Sequence, residues 1–247
     1  MADRRVVRLT GKDVLSFLQG LVSNDVLPLA KGPGAVWTAL LTAQGKYLAD
    51  FFVVNTGQDL IMDLPEALAD STLQRLAMYR LRADVTMIPT DLPVVRGLGQ
   101  MPEGALPDPR HPDLGWRFYG AMQAPAPVDW DAIRVEHVIP ESGIELIPNE
   151  SYPLECGFER LHGVDFHKGC YVGQEVTARM KHKTELRKGL MRVRVSLPVP
   201  VGTPVLADSK EAGVIYTQSG GRGIAWLRLD RSGGEMMAGE ARVVVEA

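Results

Sequence analysis

The sequence predicts an α+β fold, in which a domain of antiparallel sheet and helices is followed by a small C-terminal β-barrel. Three observations support this prediction. Two β-rich segments, 35–43 and 46–54, flank a short Gln-Gly connection and indicate a hairpin. Apolar residues at helical spacing follow Thr10. Beyond Leu190, short β-rich segments alternate with Gly, Pro and Ser, which is typical of a small all-β unit.

Local signals define the first helices and strands. Thr10 and Asp13 form a capping pair at the start of a helix. The apolar positions of this helix are Val14, Leu15, Leu18, Leu21 and Val22. After the hairpin, residues 59–64 predict a third strand. Pro65 suits the first turn of a helix that extends to about Arg80.

Proline dominates the middle of the chain. Segments 85–88 and 94–98 predict short strands, and six of the seventeen prolines follow between positions 100 and 128. Such a stretch is neither a continuous helix nor a central strand. We expect a surface excursion with one strand at 116–119, after which Asp129 caps a helix.

The barrel prediction depends on a change in sequence pattern, from helical and loop-rich segments to short β-rich segments. A helix is expected to begin near Tyr171, after a loop-rich segment. The predicted barrel strands are 191–196, 203–207, 213–216, 223–229 and 241–246. The change lies at Lys188-Gly189, so we expect one domain over residues 1–188 and a second over 189–247.

Composition excludes several classes of protein. The 247 residues include 27 Lys and Arg against 30 Asp and Glu, a formal net charge of -3. This charge argues against a whole-surface interaction with nucleic acid. The first eight residues do not resemble a secretory signal, and no apolar run is long enough to span a membrane. The two cysteines, Cys156 and Cys170, form no zinc or redox pair. We therefore expect a soluble cytoplasmic protein with reduced thiols.

The motif that carries chemistry surrounds Cys170 at positions 166–179, with the sequence Phe-His-Lys-Gly-Cys-Tyr-Val-Gly-Gln-Glu-Val-Thr-Ala-Arg. Glycines near the cysteine permit tight turns and close approach of another group. A helix start just after Cys170 and the cation of Lys168 would both favour the reactive thiolate. The alternative is a small buried residue in a Gly-rich turn.

The run from Lys168 to Glu175 resembles the signature of the YgfZ family. These proteins are folate-binding relatives of the glycine-cleavage aminomethyltransferase (T-protein), and their mitochondrial counterparts assist late iron–sulfur cluster assembly. Segments 18–26, 39–53 and 134–136 resemble the N-terminal helix and turn, the hairpin and the start of the central helix of the family. The resemblance implies a T-protein-like folate-binding domain, the C-terminal barrel and tetrahydrofolate as cofactor.

The resemblance also implies site residues. Asp50 falls where T-proteins place a carboxylate that works on the reacting nitrogen of folate, and Glu136 where a carboxylate holds the pterin edge. Tyr171, Gln174 and Arg179 of the motif are expected to contribute to the folate site. Without the resemblance, Asp50 would be an exposed strand residue, Glu136 a solvated helix residue and Tyr171 a packing residue.

Two further clusters have open interpretations. A basic run follows the motif, offset by Glu185: Arg179, Lys181, His182, Lys183, Arg187 and Lys188. It would hold the glutamate tail of folate or an acidic partner, or else form a solvated helix end. Loop residues His162, Asp165, His167 and Cys170 match no common zinc spacing, so we expect no permanent metal.

Three functions are consistent with these observations. The first is a folate-dependent accessory protein for iron–sulfur enzymes, with Cys170, Lys168 and Asp50 as the reactive groups and iron–sulfur client or assembly proteins as partners. The second is a tetrahydrofolate-dependent transferase or demethylase in which Asp50 handles a proton. The third is a docking module without catalysis, which binds protein clients through the basic run and the barrel.

Overall fold

The computed structural model of the protein describes residues 3–183 and 186–246. Its main sheet has five antiparallel strands. The strands are β1 (Arg4–Thr10), β2 (Gly34–Leu41), β3 (Tyr47–Asn55), β4 (Leu60–Pro65) and β5 (Thr86–Thr90), in the order β2-β3-β4-β1-β5. The predicted hairpin is confirmed as β2 and β3. Strand β1 was not predicted, because three arginines interrupt its apolar residues and obscure the alternation of a strand.

Four α-helices flank the sheets in the described residues: α1 (Val14–Gln19), α2 (Glu66–Arg80), α3 (Trp130–His137) and α4 (Gln174–Lys183). Short 3-10 helices lie at Leu27–Lys31, Pro112–Leu114 and Leu229–Arg231. Asp129 caps α3 as predicted, because its carboxylate accepts from Ala132 N at 2.9 Å. Asp13 does not cap α1; its carboxylate accepts from Asp84 N at 2.9 Å and joins α1 to the start of β5.

The proline-rich excursion contains a small sheet. Strand β6 (Val94–Gly97) pairs with β8 (Trp116–Tyr119), which also pairs with the two-residue strand β7 (Leu106–Pro107). Gly97 permits this pairing, because an added Cβ would lie 2.2 Å from the Trp116 ring. Arg96 and Arg117 occupy paired positions of β6 and β8, so their backbones lie side by side.

The C-terminal strands form a closed antiparallel barrel in the order β10-β11-β12-β9-β14-β13. These strands are β9 (Lys188–Val195), β10 (Thr203–Ala207), β11 (Lys210–Ser219), β12 (Arg222–Arg228), β13 (Met236–Ala238) and β14 (Ala241–Val245). The sequence missed β13, whose short run has little pattern. The barrel has its own apolar core around Val193, Ile215 and Val243.

The main sheet is buried on both faces. Trp37, Tyr47 and Phe52 pack on one face with Phe158, whereas Phe51 packs on the other face with α1 and α2. Because side chains alternate along a strand, adjacent Phe51 and Phe52 enter different cores. The predicted α+β fold with a C-terminal barrel is confirmed. No helix among the described residues has both the length and the apolar character to cross a bilayer.

Candidate functional site

A small polar cavity of about 30 Å³ lies beside the middle of β3. Its walls come from β1, β3, β6, β8, α3 and two loops. The lining residues are Arg4, Asp50, Phe52, Arg96, Arg110, Arg117, Arg134, Pro140, Glu141 and Ser142. Five guanidinium groups therefore surround a space that holds a few water-sized particles.

Asp50 is a buried carboxylate at this cavity, with 5% of its surface exposed. Its Oδ1 atom accepts from Tyr47 OH at 2.7 Å and from Ser142 Oγ, and its Oδ2 atom accepts from Trp37 Nε1 at 2.8 Å. Burial raises the pKa of Tyr47, so its hydroxyl stays a donor. The predicted alternative of an exposed strand residue is wrong, and three neutral donors hold the carboxylate in position.

Two buried aspartates neutralise arginines of the cavity wall. Asp63 accepts from Arg4 Nε at 2.6 Å and also pairs with Arg117. Asp108 binds Arg110 through two hydrogen bonds of 2.9 and 2.8 Å and lies 3.4 Å from Arg117 NH1. Burial alone would raise the pKa of both carboxyls, but the arginines outweigh it and hold each pKa below its ordinary value.

Arg134 and Glu145 form a second buried pair on the opposite side of the cavity. Arg134 Nε donates to Ile139 O at 3.1 Å, and a terminal nitrogen donates to Asp131 at 2.9 Å. Glu145 also accepts from Thr217 Oγ1 in barrel strand β11 at 2.5 Å. The first residue of the Arg-x-Glu segment is therefore part of the cavity wall.

Glu136, the last residue of that segment, lies elsewhere. Its carboxylate pairs with Arg192 and Arg222 of the barrel, each at 2.6 Å. It lines an open groove together with His137 and is absent from the wall of the Asp50 cavity. The structure therefore does not bring Glu136 and Asp50 together, because successive positions on α3 face different neighbours.

The first part of the cysteine motif forms a loop beside the hairpin turn, and the rest belongs to helix α4. Cys170 is exposed, and helix α4 begins only at Gln174. Gly173 has φ +87°, and an added Cβ would lie 2.6 Å from Thr42 O, so the loop packs against the hairpin backbone. None of the motif residues lines the Asp50 cavity. The predicted arrangement of the thiol at the rim of that cavity is not seen.

Lys168 anchors the loop to α1. Its ammonium donates to Gln19 O at 2.6 Å and to Val22 O, at the C-terminal side of α1, where carbonyls favour a cation. Gln19 Nε2 donates to Lys168 O at 3.2 Å in return. Burial lowers the pKa of Lys168 to about 8. This geometry supports a positioning role for Lys168 and gives no support to activation of Cys170.

The remaining predicted folate contacts are separated. Tyr171 packs in the main core, with its ring 5.0 Å from the Lys168 ammonium. Gln174 begins α4, and exposed Arg179 pairs with Glu175 at 2.9 Å one turn away. Their predicted role in folate binding stays a prediction.

The basic run is partly neutralised. Lys181 pairs with Glu159 at 2.5 Å, and the Lys188 ammonium lies 4.8 Å from the centre of the Trp226 ring. Glu185 and the side chain of Lys183 lie outside what the structure describes. The described part of the run is therefore distributed over separate partners rather than gathered at one site.

A cluster that the sequence analysis did not consider could hold a metal ion. One ligand atom each from His111, Asp113 and His137 lies within 4.8 Å of the others, and the two imidazoles stack at 3.8 Å. His137 Nε2 lies 2.6 Å from the Asp113 carboxylate. Within residues 3–183 and 186–246, this is the group with suitable spacing.

Sequence reasoning missed the arginines of the cavity. The available signal was an arginine inside a short apolar strand, as in Val-Val-Arg-Gly at 94–97 and Trp-Arg-Phe-Tyr at 116–119. A buried arginine needs a carboxylate partner. Asp63 and Asp108, the partners of Arg117, are recognisable only when the sheets are assembled.

Comparison with known proteins identifies the family. The chain is 30% identical to the mouse protein "Iron-sulfur cluster assembly factor IBA57, mitochondrial" over 271 residues, which cover 91% of this chain and 75% of the relative. The chain belongs to the IBA57/CAF17 family. Residues 187–247 match the "CAF17, C-terminal beta-barrel domain". The Mycosarcoma maydis IBA57 homolog is 33% identical, with 81% of this chain and 57% of that relative covered.

A solved structure supports the fold. Aminomethyltransferase T of the glycine cleavage system from Bartonella henselae has a TM-score of 0.73 and 12% identity, with 99% of this chain and 83% of that chain covered. This similarity shows a T-protein-like fold for the IBA57/CAF17 member. The narrower assignment to the YgfZ family is not confirmed.

The predicted cytoplasmic location is wrong. The mouse, human and Mycosarcoma maydis relatives are all named mitochondrial, which points to the mitochondrion rather than the cytoplasm. The prediction relied on unpaired thiols and on the first residues not resembling a secretory signal. Both features are compatible with either compartment, so neither could distinguish them.

Proposed function

We propose that this protein acts in iron–sulfur cluster assembly and that the exposed Cys170 thiol contacts the cluster or its carrier protein. Membership of the IBA57/CAF17 family supports the process, because the relatives carry it in their names. The exposure of Cys170 is the observation that supports the assignment of this contact to its thiol. A thiolate is the usual protein ligand of iron–sulfur clusters, and it must reach the surface to meet one carried by another protein.

The local structure is suited to presenting this thiol. Lys168 fixes one side of the loop to α1, and Gly173 fixes the other side to the hairpin turn. Gly169 has φ +85° with no atom within 4 Å of an added Cβ, so the backbone next to the thiol is open. A loop held at both sides presents the sulfur without the entropic cost of ordering a flexible segment.

The test is complementation in mouse cells that lack their own IBA57. This chain, directed to mitochondria, is expected to restore the activity of iron–sulfur enzymes, and Cys170→Ala is expected to lose that restoration. Cys156→Ala is the matched control, because Cys156 is buried in the core and has no access to a partner. Immunoblots compare the amounts of the variants.

Two outcomes would contradict the proposal. Failure of the native chain to restore enzyme activity at normal abundance would contradict the proposed function in cluster assembly. Full restoration by Cys170→Ala would be consistent with that function but would contradict the proposed role of the thiol. Equal losses in both cysteine variants at equal abundance would also remove the specific role of Cys170.

Tetrahydrofolate remains a separate prediction, because the residues around Asp50 do not fit a pterin as they are placed. The cavity measures about 30 Å³, whereas small-molecule pockets usually exceed about 300 Å³. Glu136, the predicted pterin contact, is paired with barrel arginines. We therefore derive no step through folate, and neither transferase nor demethylase chemistry enters the proposal. Titration with tetrahydrofolate, with Glu136→Ala for comparison, tests the cofactor directly.

A further inference from the structure

One arginine of the Asp50 cavity differs from the other four. Arg4, Arg110, Arg117 and Arg134 each pair with a buried carboxylate. Arg96 lines the same cavity, but no ion pair joins it to a carboxylate within the described parts of the chain. Its buried Nε atom has no hydrogen-bond acceptor there either. Its guanidinium carbon lies 4.0 Å from the centre of the Trp130 ring.

Charges of both signs act on Arg96. Arg117 and Arg110 disfavour its positive charge most, and Asp108 and Glu141 favour it by less. Burial, with these two arginines, lowers the pKa of Arg96 to about 9, so the side chain stays charged at neutral pH. A partly buried cation with no ion pair among the described residues is unfavourable for folding. In the cavity wall, Arg96 offers a ligand a donor group that no carboxylate of the described residues occupies.

We propose that this cavity binds an oxyanion, the carboxylate or phosphate group of a small molecule, with Arg96 as its main protein contact. Guanidinium groups donate parallel N–H bonds in a geometry that matches both anions. The volume of about 30 Å³ suits a group of a few atoms. Arg4 and Glu141 in the wall retain 17% and 23% side-chain exposure, so the wall is not sealed.

Each neighbouring group has a defined part in this site. Trp130 holds the Arg96 guanidinium by a cation–π contact, which orients the donors without neutralising the charge. Asp63 and Asp108 hold Arg117 and Arg110 in place while leaving the anion to Arg96. Asp50 is occupied by donors from Trp37, Tyr47 and Ser142. The site is independent of Cys170, which lies outside the cavity wall.

The test measures the melting temperature of the full chain with millimolar inorganic phosphate, glutarate or 5-formyltetrahydrofolate. At least one probe is expected to raise the melting temperature, because a ligand that binds only the folded state stabilises it. Arg96→Gln is expected to weaken binding at least tenfold and remove the shift. Arg242→Gln removes the same charge from the surface of barrel strand β14 and is expected to keep the full shift.

The three probes distinguish the source of the anion. A response to phosphate alone identifies a phosphate group, and a response to glutarate identifies a free carboxylate. A response only to the folate compound, lost in Arg96→Gln, identifies the carboxylate tail of folate. No response to any probe, or a response that Arg96→Gln retains, overturns the proposal.

A second variant separates binding from folding. Without ligand, Arg96→Met is expected to melt at the native temperature or above it, because it removes a partly buried charge that has no ion pair among the described residues. Loss of the anion response in this well-folded variant supports the site. A clear decrease in its ligand-free melting temperature would show that Arg96 is already compensated within the protein, which also overturns the proposal.

Discussion

The hydroxyl of Thr217 donates to the Oε1 atom of Glu145 at 2.5 Å, and its backbone nitrogen donates to the same atom at 3.2 Å. Glu145 pairs through its other oxygen with Arg134 in the cavity wall. Barrel strand β11 is thereby linked through one buried carboxylate to the arginine cavity. The barrel and the first domain thus share an electrostatic network as well as apolar contacts.

Thr217→Val is expected to lower the free energy of unfolding by about 2 kcal/mol, because a buried carboxylate loses a charged hydrogen bond. Urea unfolding followed by tryptophan fluorescence measures the change. Thr203→Val removes a hydroxyl that donates to Pro200 O at the surface and should have little effect. Equal stabilities of the two variants would show that the link to Glu145 contributes nothing.

Arg117→Met is expected to destabilise the protein by about 3 kcal/mol at pH 7, because two buried aspartates lose a shared partner. Arg5→Met is the control, since Arg5 forms only surface pairs with Glu66 and Asp70. Chemical unfolding measures both. If Arg117→Met were as stable as Arg5→Met, the buried network would be dispensable.

Acid should weaken the fold through Asp63 and Asp108. Their pKa values are lower in the folded protein than in the unfolded chain, so their stabilisation is present above the unfolded value and lost as the pH falls towards the folded one. The free energy of unfolding is expected to fall below about pH 4, the ordinary range for aspartate. The decrease should be shallower in Arg117→Met. An identical pH profile in that variant would contradict this assignment.

The two thiols should differ in reactivity. Cys170 is exposed, whereas burial raises the pKa of Cys156 to about 12. Native protein is expected to gain one adduct when it is treated with iodoacetamide at about pH 8, near the ordinary pKa of a free thiol. Mass spectrometry of the peptides should assign this adduct to Cys170. Cys170→Ala should gain none until it is unfolded. Rapid modification of Cys156 in the native state would refute the described burial.

Alanine substitutions at two glycines of the motif should distinguish the cost of backbone strain from the cost of steric overlap. Gly169→Ala should cost about 1 kcal/mol, because its φ of +85° is unfavourable for alanine while the space around it is open. Gly173→Ala should cost at least about 1 kcal/mol more, since its Cβ would also overlap Thr42 O. Thermal unfolding compares the variants. Equal costs would mean that the loop does not press on the hairpin.

Local sequence signals determined the hairpin, the Asp129-capped helix and most of the barrel strands. Each of these depends on residues close in sequence, as with the Asp129 carboxylate and Ala132 N. The motif was likewise recognisable from a run of neighbouring residues. Family membership then added iron–sulfur cluster assembly, which composition and periodicity could not supply.

Only the tertiary structure decided where charges meet. Arg117 finds Asp63 across 54 positions, and Lys168 finds Gln19 O across 149. Glu136 follows Arg134 by only two positions but pairs with the barrel, because side chains two positions apart on a helix point in different directions. Burial makes an unpaired charge unfavourable, and the partners available to it depend on which strands and loops the assembled core places alongside.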